Sequence, residues 1–156
     1  MTESAPASTP TAMAWPPRYR VYWEDTDGGG VVYHARYLHF MERARSDWLL
    51  AMGFPQQQMR QTHGCVFVVT AAELKFMQPA RLEDELDVLV DVEVVRRASM
   101  AFEQTIVRVA DGLALARGHV EVACVAAESF RPTRIPQALR AATMAWKNSN
   151  HSQEQA

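Results

Sequence analysis

Apolar and polar residues alternate in RYRVYWE (residues 18–24), near the start of the chain. An alternation with a period of two residues predicts a strand with one buried face. The glycine-rich sequence EDTDGGG (24–30) comes next and indicates a loop. The regular structure is therefore expected to begin with a strand that runs into a turn.

The segment VVYHARYLHFMERARSDWLLAMGF (31–54) has the 3.6-residue period of a single long helix. Gly53 predicts its end, and Pro55 follows. The predicted core-facing stripe mixes two polar residues with apolar ones: His34, Leu38, Met41, Arg45, Trp48 and Met52. The opposite face carries Arg36, His39, Arg43 and Asp47. Because a buried polar group needs a partner, His34 and Arg45 are expected to have hydrogen bonds or a function.

The rest of the chain has mainly the pattern of β-strands. A polar connection, PQQQMRQTHG (55–64), leads to four apolar or alternating segments: CVFVVTAAELKF, LDVLVDVEVV, SMAFEQTIVRVA and LALARGHVEVACVA. Asp111-Gly112, between the last two, predicts a hairpin turn. IPQALRAATMAW (135–146) predicts a short terminal helix. One strand, one long helix and four antiparallel strands define an α+β fold whose sheet must cover the helix.

The chain length of 156 residues corresponds to one domain. Residues 1–17 are rich in Ser, Thr, Pro and Ala, and they predict a disordered N-terminal extension. The polar residues 146–156 predict a flexible C-terminal tail. The folded domain is therefore expected to span residues 18–145.

Composition and charge exclude several classes of function. The formal net charge of −2 argues against a general nucleic-acid-binding protein, which needs a cationic face for phosphates. No segment has the ~20 apolar residues of a membrane span, and the N-terminus lacks the features of a secretory signal. Cys65 and Cys124 lie in apolar segments without metal-ligand spacing, which favours reduced, buried thiols. We therefore expect a soluble cytoplasmic protein.

The loop before the long helix contains the most informative residues. Asp27 stands directly before three glycines, which allow sharp turns and let backbone N–H groups approach a ligand. The N-terminus of a helix has unpaired N–H groups and a positive dipole end, which stabilise a developing oxyanion. A carboxylate there suits a general base or a nucleophile. A second interpretation stays open, in which Asp27 or Asp25 only caps the helix.

Three other loop motifs fail on this sequence. An EF-hand that starts at Asp25 would place Arg36 where an acidic calcium ligand is required. A dinucleotide-binding fingerprint would have Tyr33 in place of its last glycine, and no GK[ST] is present for a phosphate-binding loop. His34 and His39 point about 140° apart on a helix, and the other histidines share no ligand spacing. We therefore predict no metal site and no bound cofactor.

The run VYWEDTDGGGVVYHARYLHFMERARSDWLLAMGF resembles the signature of the 4-hydroxybenzoyl-CoA thioesterase-like hot-dog family. It is most similar to the branch of acyl-CoA thioesterases encoded beside the Tol–Pal envelope genes (YbgC type). The similarity continues through ELKFMQPARLEDEL and VVRRASMAFEQTI and covers roughly residues 18–130. The resemblance implies a hot-dog fold, in which an antiparallel sheet wraps around one long central helix. It also implies a homodimer or homotetramer with active sites at the subunit interface.

The specific part of the resemblance is the pattern D-x-D-x-x-G-x-V-[YW]-[YH]-x-x-Y, which begins at Asp25. It implies Asp27 as the catalytic carboxylate and His34 as the residue whose backbone N–H polarises the thioester carbonyl. The pattern of the helix alone favours a satisfied histidine on its core side, and only the resemblance implies a role for His34 in the reaction. Gly30 and Tyr33 are the implied substrate contacts in the same segment.

The resemblance also places a nucleotide contact in the second half of the chain. Arg96, Arg97 and Ser99 lie where members of the family contact the nucleotide end of CoA. The alternative is that the two arginines only solvate a strand turn. Phe67 and Met77, with Tyr33, are candidates for side chains that limit the length of the acyl group.

The implied activity is hydrolysis of an acyl-CoA thioester to a free acid and CoA. Asp27 either activates water or attacks the thioester directly, and acyl carrier protein is an alternative carrier of the acyl group. A hot-dog hydratase would use a His and Asp pair, but the motif does not resemble those families. The other alternative is non-catalytic: an acyl-CoA- or acyl-carrier-protein-binding protein, or a scaffold linked to lipid or envelope metabolism, which binds without turnover.

Overall fold

The computed structural model describes residues 14–154, and side chains as far as residue 150. In chain order the elements of this range are β1 (Arg18–Arg20), a 3₁₀ turn (Trp23–Asp25), α1 (Arg36–Ala51), α2 (Gln56–His63), β2 (Cys65–Phe76), β3 (Glu85–Val95), β4 (Ser99–Arg108), β5 (Ala114–Ala126) and α3 (Gln137–Glu154). Within this part of the chain, no helix is long and apolar enough to cross a membrane.

The five strands form one sheet in the order β1-β3-β4-β5-β2, and each strand is antiparallel to its neighbours. The predicted hairpin at Asp111-Gly112 is present: Gly112 has a φ of 71°, and the Asp111 carboxylate accepts the N–H of Leu113 at 3.2 Å. The short β1 and the long β2 are the two edges of the sheet. The predicted α+β plan is confirmed.

The sheet covers one face of α1, and this contact forms the core. The helix buries Tyr37, Phe40, Met41, Ala44, Trp48 and Leu49. The facing side chains of β3 are Leu86, Val88, Val90 and Val92, all buried. Removing each large apolar side chain from water contributes roughly 1.5–3 kcal/mol. Trp48 packs edge-on against Phe102 of β4, with ring centroids 5.2 Å apart.

The predicted stripe of the long helix is partly wrong. The helix begins at Arg36 instead of residue 31, so His34 precedes it. Val32 takes part in a β-bridge with Thr26 instead, and its N–H donates to the Ala80 carbonyl at 2.8 Å, while His34 and Ala35 form a turn. The sheet therefore covers a face centred on Phe40 and Ala44, while Leu38 is 39% exposed.

Three further elements differ from the prediction. The polar connection 55–64 contains the helix α2, whose buried side chain is Met59 and whose end is Gly64 with a φ of 61°. The first strand ends at Arg20, and Trp23 lies in the 3₁₀ turn with 79% of its surface exposed. The prediction missed α2 because its polar sequence offers a single apolar anchor.

A residue of the predicted N-terminal extension contacts a residue of the predicted C-terminal tail. The ring centroids of Trp15 and Trp146 are 5.0 Å apart in an edge-on arrangement. The helix α3 continues past Trp146 to Glu154, so it is longer than the predicted terminal helix. The predicted disorder of residues 1–17 falls largely on residues 1–13, which lie outside the described residues. The division into extension, domain and tail stays a prediction.

Candidate active site

Asp25 stabilises the loop that precedes α1 through hydrogen bonds of its carboxylate and its carbonyl. Its carboxylate is 3% exposed and accepts the backbone N–H of Tyr22 at 2.9 Å. Its carbonyl accepts the N–H of Tyr33 at 2.8 Å, and Arg36 Nη1 lies 3.9 Å from its Oδ1. The N-cap of α1 is Ala35, which makes no side-chain cap hydrogen bond. Neither aspartate of the loop therefore caps this helix, and Asp25 has a structural role.

Asp27 lies at the exposed tip of a tight turn. Its N–H donates to Val31 at 2.9 Å, and its carbonyl accepts the N–H of Gly30 at 3.1 Å. Gly30 has a φ of 78°, a conformation that favours glycine. The Asp27 Oδ1 accepts the N–H of Gly29 at 2.7 Å. Among the described residues Oδ2 has no hydrogen-bond partner, so one carboxylate oxygen is held and the other is available.

A cavity of about 310 Å³ lies beside this carboxylate. Its lining comes from the loop, the start of α1 and the segment after β2: Asp27, Val31, Val32, His34, Tyr37, Phe76, Met77, Gln78 and Pro79. Tyr37 packs edge-on against Phe76 at 5.3 Å and accepts the N–H of Ala80 with its hydroxyl at 3.0 Å. This volume is at the lower end of the range for small-molecule sites. The cavity is an apolar slot with Asp27 and His34 at its polar side.

His34 belongs to the turn that enters α1. The N–H of Arg36 donates to the Tyr33 carbonyl at 2.8 Å, whereas the N–H of His34 has no acceptor within residues 14–150. The first turn of α1 carries no acidic side chain that would offset its positive dipole end. His34 is exposed, which excludes the interpretation as a buried core histidine. Within the described residues, the backbone N–H of His34 is therefore available as a hydrogen-bond donor.

The other predicted residues of this segment take different positions. Gly30 shapes the turn of Asp27, and Tyr33 stacks on His34 with ring centroids 4.5 Å apart. Tyr33 is exposed and does not line the cavity. Of the two acyl-length candidates, Met77 lines the cavity of Asp27, while Phe67 lines a separate one near Trp48.

The predicted nucleotide contacts lie far from Asp27 within one chain. Arg96 and Arg97 are exposed in the turn between β3 and β4, and the Arg96 N–H donates to Ser99 at 2.8 Å. Ser99 pairs with Ala123 of β5, whereas Phe76 of the cavity pairs with Ala116. The step from Ala116 to Ala123 spans about 23 Å along the strand at 3.3 Å per residue. A single chain therefore does not bring this turn to the cavity.

The sequence analysis missed most of the cavity lining that comes from β2 and the segment after it. Phe76, Gln78 and Pro79 come from the end of β2 and the segment after it. They carry no titratable group, and only the pairing of β2 with β5 sets their position. The sequence did contain a signal for this part of the cavity. The segment ELKFMQPARLEDEL is part of the family resemblance and contains all three residues, but the resemblance implied no role for them.

Comparison with known proteins identifies the family. The family model described as thioesterase-like superfamily matches residues 21–143. The acyl-CoA thioesterase YbgC of Haemophilus influenzae is 43% identical over 123 residues, which cover 79% of this chain and 89% of that protein. The acyl-CoA thioester hydrolase YbgC of Escherichia coli is 39% identical over 129 residues, with coverages of 83% and 93%.

Solved structures show the same fold. A probable thioesterase from Bartonella henselae is 36% identical with a TM-score of 0.72, covering 76% of this chain and 96% of that chain. A DHNA-CoA thioesterase from Staphylococcus aureus has a TM-score of 0.80 at 22% identity, with coverages of 87% and 92%. These likenesses confirm the predicted hot-dog fold. The chain belongs to the thioesterase-like superfamily, among the YbgC-type acyl-CoA thioesterases.

Proposed function

We propose that this chain hydrolyses acyl-CoA thioesters, with Asp27 as general base or nucleophile and the N-terminal end of α1 as the oxyanion site. One observation carries the proposal: Asp27 and the His34 segment line the same cavity. The names of the relatives from H. influenzae and E. coli support the acyl-CoA substrate.

The oxyanion site is the unpaired N–H of His34. When a nucleophile adds to the thioester carbonyl, negative charge develops on its oxygen. An N–H donor and a helix dipole directed at this oxygen would stabilise that charge without rearrangement. The exposed His34 ring lies beside the same cavity, where it contacts the acyl or pantetheine part of the substrate.

The Asp27 carboxylate supplies the base or the nucleophile. In the first route Asp27 takes a proton from water, the hydroxide adds to the carbonyl carbon, and the C–S bond breaks as the CoA sulfur takes a proton. In the second route a carboxylate oxygen forms the C–O bond of a mixed anhydride, the CoA thiolate leaves, and water hydrolyses the anhydride. Oδ2 suits both routes because Oδ1 already accepts the Gly29 N–H. Neither route uses a metal or a cofactor.

The proposed assembly is a homodimer that pairs through β2. This edge strand is twelve residues long, and its exposed side chains include Val69 in the middle part and Phe76 at the end. An unpaired edge of this length is a template for a second strand. Two β2 strands that pair antiparallel would place the Phe76 end of one copy beside the opposite end of the other.

This pairing offers a route to the nucleotide of CoA. The β3–β4 turn lies at the sheet end opposite Phe76, so the second copy would bring its own turn towards the cavity of the first. Arg96, Arg97 and Ser99 would then stand about three strand spacings, or ~14 Å, from β2 of the first copy. Guanidinium groups at that position suit the phosphates of CoA. We also propose, from the family resemblance and the sequence, three features that stay predictions: a homotetramer, acyl carrier protein as an alternative carrier of the acyl group, and a cytoplasmic location.

Thiol release tests the proposed function. Purified protein is incubated with short aliphatic, long-chain and aromatic acyl-CoAs, and with acyl carrier protein thioesters, while free thiol is measured. We expect turnover on at least one acyl-CoA. Saturable binding without thiol release from any carrier would instead support the non-catalytic binding protein or scaffold. Sedimentation velocity on the same sample distinguishes a dimer from a tetramer.

A further inference from the structure

Three strands bring two carboxylates to one histidine on the outer face of the sheet. His119 lies on β5 and pairs directly with Glu103 of β4, so their side chains share a face. Glu93 lies on β3 between Val92 and Val94, where the register of β3 against β4 shifts. The neighbouring even-numbered residues, such as Val92 and Val120, are buried in the core. The group therefore lies on the face opposite the helix.

The distances within this group are short. His119 Nδ1 lies 2.7 Å from Glu103 Oε1 and 3.0 Å from Glu93 Oε2. One ligand atom from each of the three residues lies within 4.8 Å of the others. The second ring nitrogen, Nε2, lies 3.7 Å from Glu121 Oε1. Both sides of the imidazole therefore face carboxylates.

A single proton does not satisfy this arrangement. Nδ1 carries at most one hydrogen, yet two carboxylates from different strands approach it, and their like charges repel each other. One imidazole nitrogen and two carboxylate oxygens are a ligand set for Zn²⁺, which binds nitrogen at about 2.0–2.1 Å and oxygen at about 2.0–2.2 Å. A metal-binding histidine usually has a carboxylate near its other nitrogen, and Glu121 Oε1 lies 3.7 Å from Nε2, at ion-pair distance. The nitrogen ligand favours zinc over magnesium or calcium.

We propose that Glu93, Glu103 and His119 form a binding site for a divalent transition cation such as Zn²⁺, separate from the thioesterase cavity. Water completes the coordination on the solvent side, and Glu121 orients the imidazole. The bound cation joins β3, β4 and β5 and offsets the repulsion between their carboxylates. The sequence analysis predicted no metal site because these ligands are distant in sequence and meet only through strand pairing.

Zinc titration by calorimetry tests this site. The full chain is used without a histidine tag, after dialysis against a chelator and then against chelator-free buffer. We expect one saturable Zn²⁺ site per chain in the wild type. His119→Ala and Glu103→Gln should each weaken it at least about tenfold, and Glu121→Gln should weaken it less. His63→Ala is the matched control, because His63 is an exposed histidine at the end of α2, outside the group.

A second measurement separates the site from general surface binding. Zn²⁺ should raise the melting temperature of the wild type and of His63→Ala, but not that of His119→Ala. All four variants should keep the wild-type rate of thiol release. An absence of saturable binding in the wild type, or an equal zinc affinity of His119→Ala and His63→Ala, would overturn the proposal.

Discussion

The Asp27 carboxylate is hydrogen-bonded to the backbone of Gly29, whose N–H donates to Oδ1 at 2.7 Å. A Cβ atom at Gly29 would lie 3.1 Å from the same oxygen, closer than most such contacts. The glycine therefore allows the carboxylate to lie flat against the turn. This contact sets the orientation of Oδ2, the oxygen that we propose reacts with the thioester or with water.

Gly29→Ala should displace the carboxylate by a few tenths of an ångström and lower kcat about tenfold, because catalysis is sensitive to small errors of position. Gly28→Ala is the matched control, since a Cβ at Gly28 meets no atom within 4 Å. Steady-state thiol release with both variants checks this expectation. Equal rates for the two variants would contradict a positioning role of Gly29.

The proposed oxyanion role of His34 belongs to its backbone N–H, so two substitutions at this position should differ. His34→Pro removes the N–H and should lower kcat by about 10²–10³-fold, the usual effect of losing one oxyanion donor. His34→Ala keeps the N–H and should lose much less activity. Thermal unfolding of both variants checks that the turn still folds. If the alanine variant were as inactive as the proline variant, the side chain would carry the role.

Gly118 of β5 allows α1 to approach the sheet. A Cβ at this position would lie 2.6 Å from Sδ of Met41 and 2.9 Å from its terminal methyl. Gly118→Ala should therefore lower the free energy of unfolding by about 1–3 kcal/mol through overpacking. In combination with Met41→Ala the loss should be smaller than the sum, because the new methyl enters the space that Met41 leaves. Urea unfolding of both single variants and the double variant measures this coupling, and strict additivity would contradict it.

The two cysteines should be unreactive in the folded protein. Burial raises the pKa of the Cys124 thiol to about 12, and the adjacent Cys65 thiol adds to the effect. The pKa of Cys124 is higher in the folded protein than in the unfolded protein. The free energy of unfolding therefore keeps its full value below about pH 9, and it falls as the pH rises towards 12 because the unfolded thiol ionises first. At pH 8 a thiol reagent should modify the native protein far more slowly than the urea-unfolded protein. Similar rates in the two states would show that Cys124 is accessible.

The sequence predicted the features that depend on local pattern or on single reactive groups. The long strands and the Asp111-Gly112 turn follow from alternation and turn chemistry. Asp27 could be singled out because it is ionisable and precedes three glycines. The predicted start of α1 was wrong because a tertiary hydrogen bond from the Val32 N–H to the Ala80 carbonyl keeps Val32 out of the helix.

Features that depend on distant pairings were not accessible from the sequence. Phe76 and Pro79 reach the cavity because β2 pairs with β5 and because the next residue, Ala80, bonds to Val32 and Tyr37. In the same way Glu93, Glu103 and His119 meet through the pairing of three strands. No single segment carries either arrangement, so a pattern confined to one segment does not reveal it.

The most direct test of the account compares the wild type with Asp27→Asn on the preferred acyl-CoA. Asparagine keeps the size of the side chain and an oxygen that can accept the Gly29 N–H, while it removes the negative charge. We predict that thiol release falls by at least about 10²-fold, as for loss of a general base, while the acyl-CoA still binds with similar affinity. Undiminished thiol release in Asp27→Asn would contradict the central claim and place the active site elsewhere.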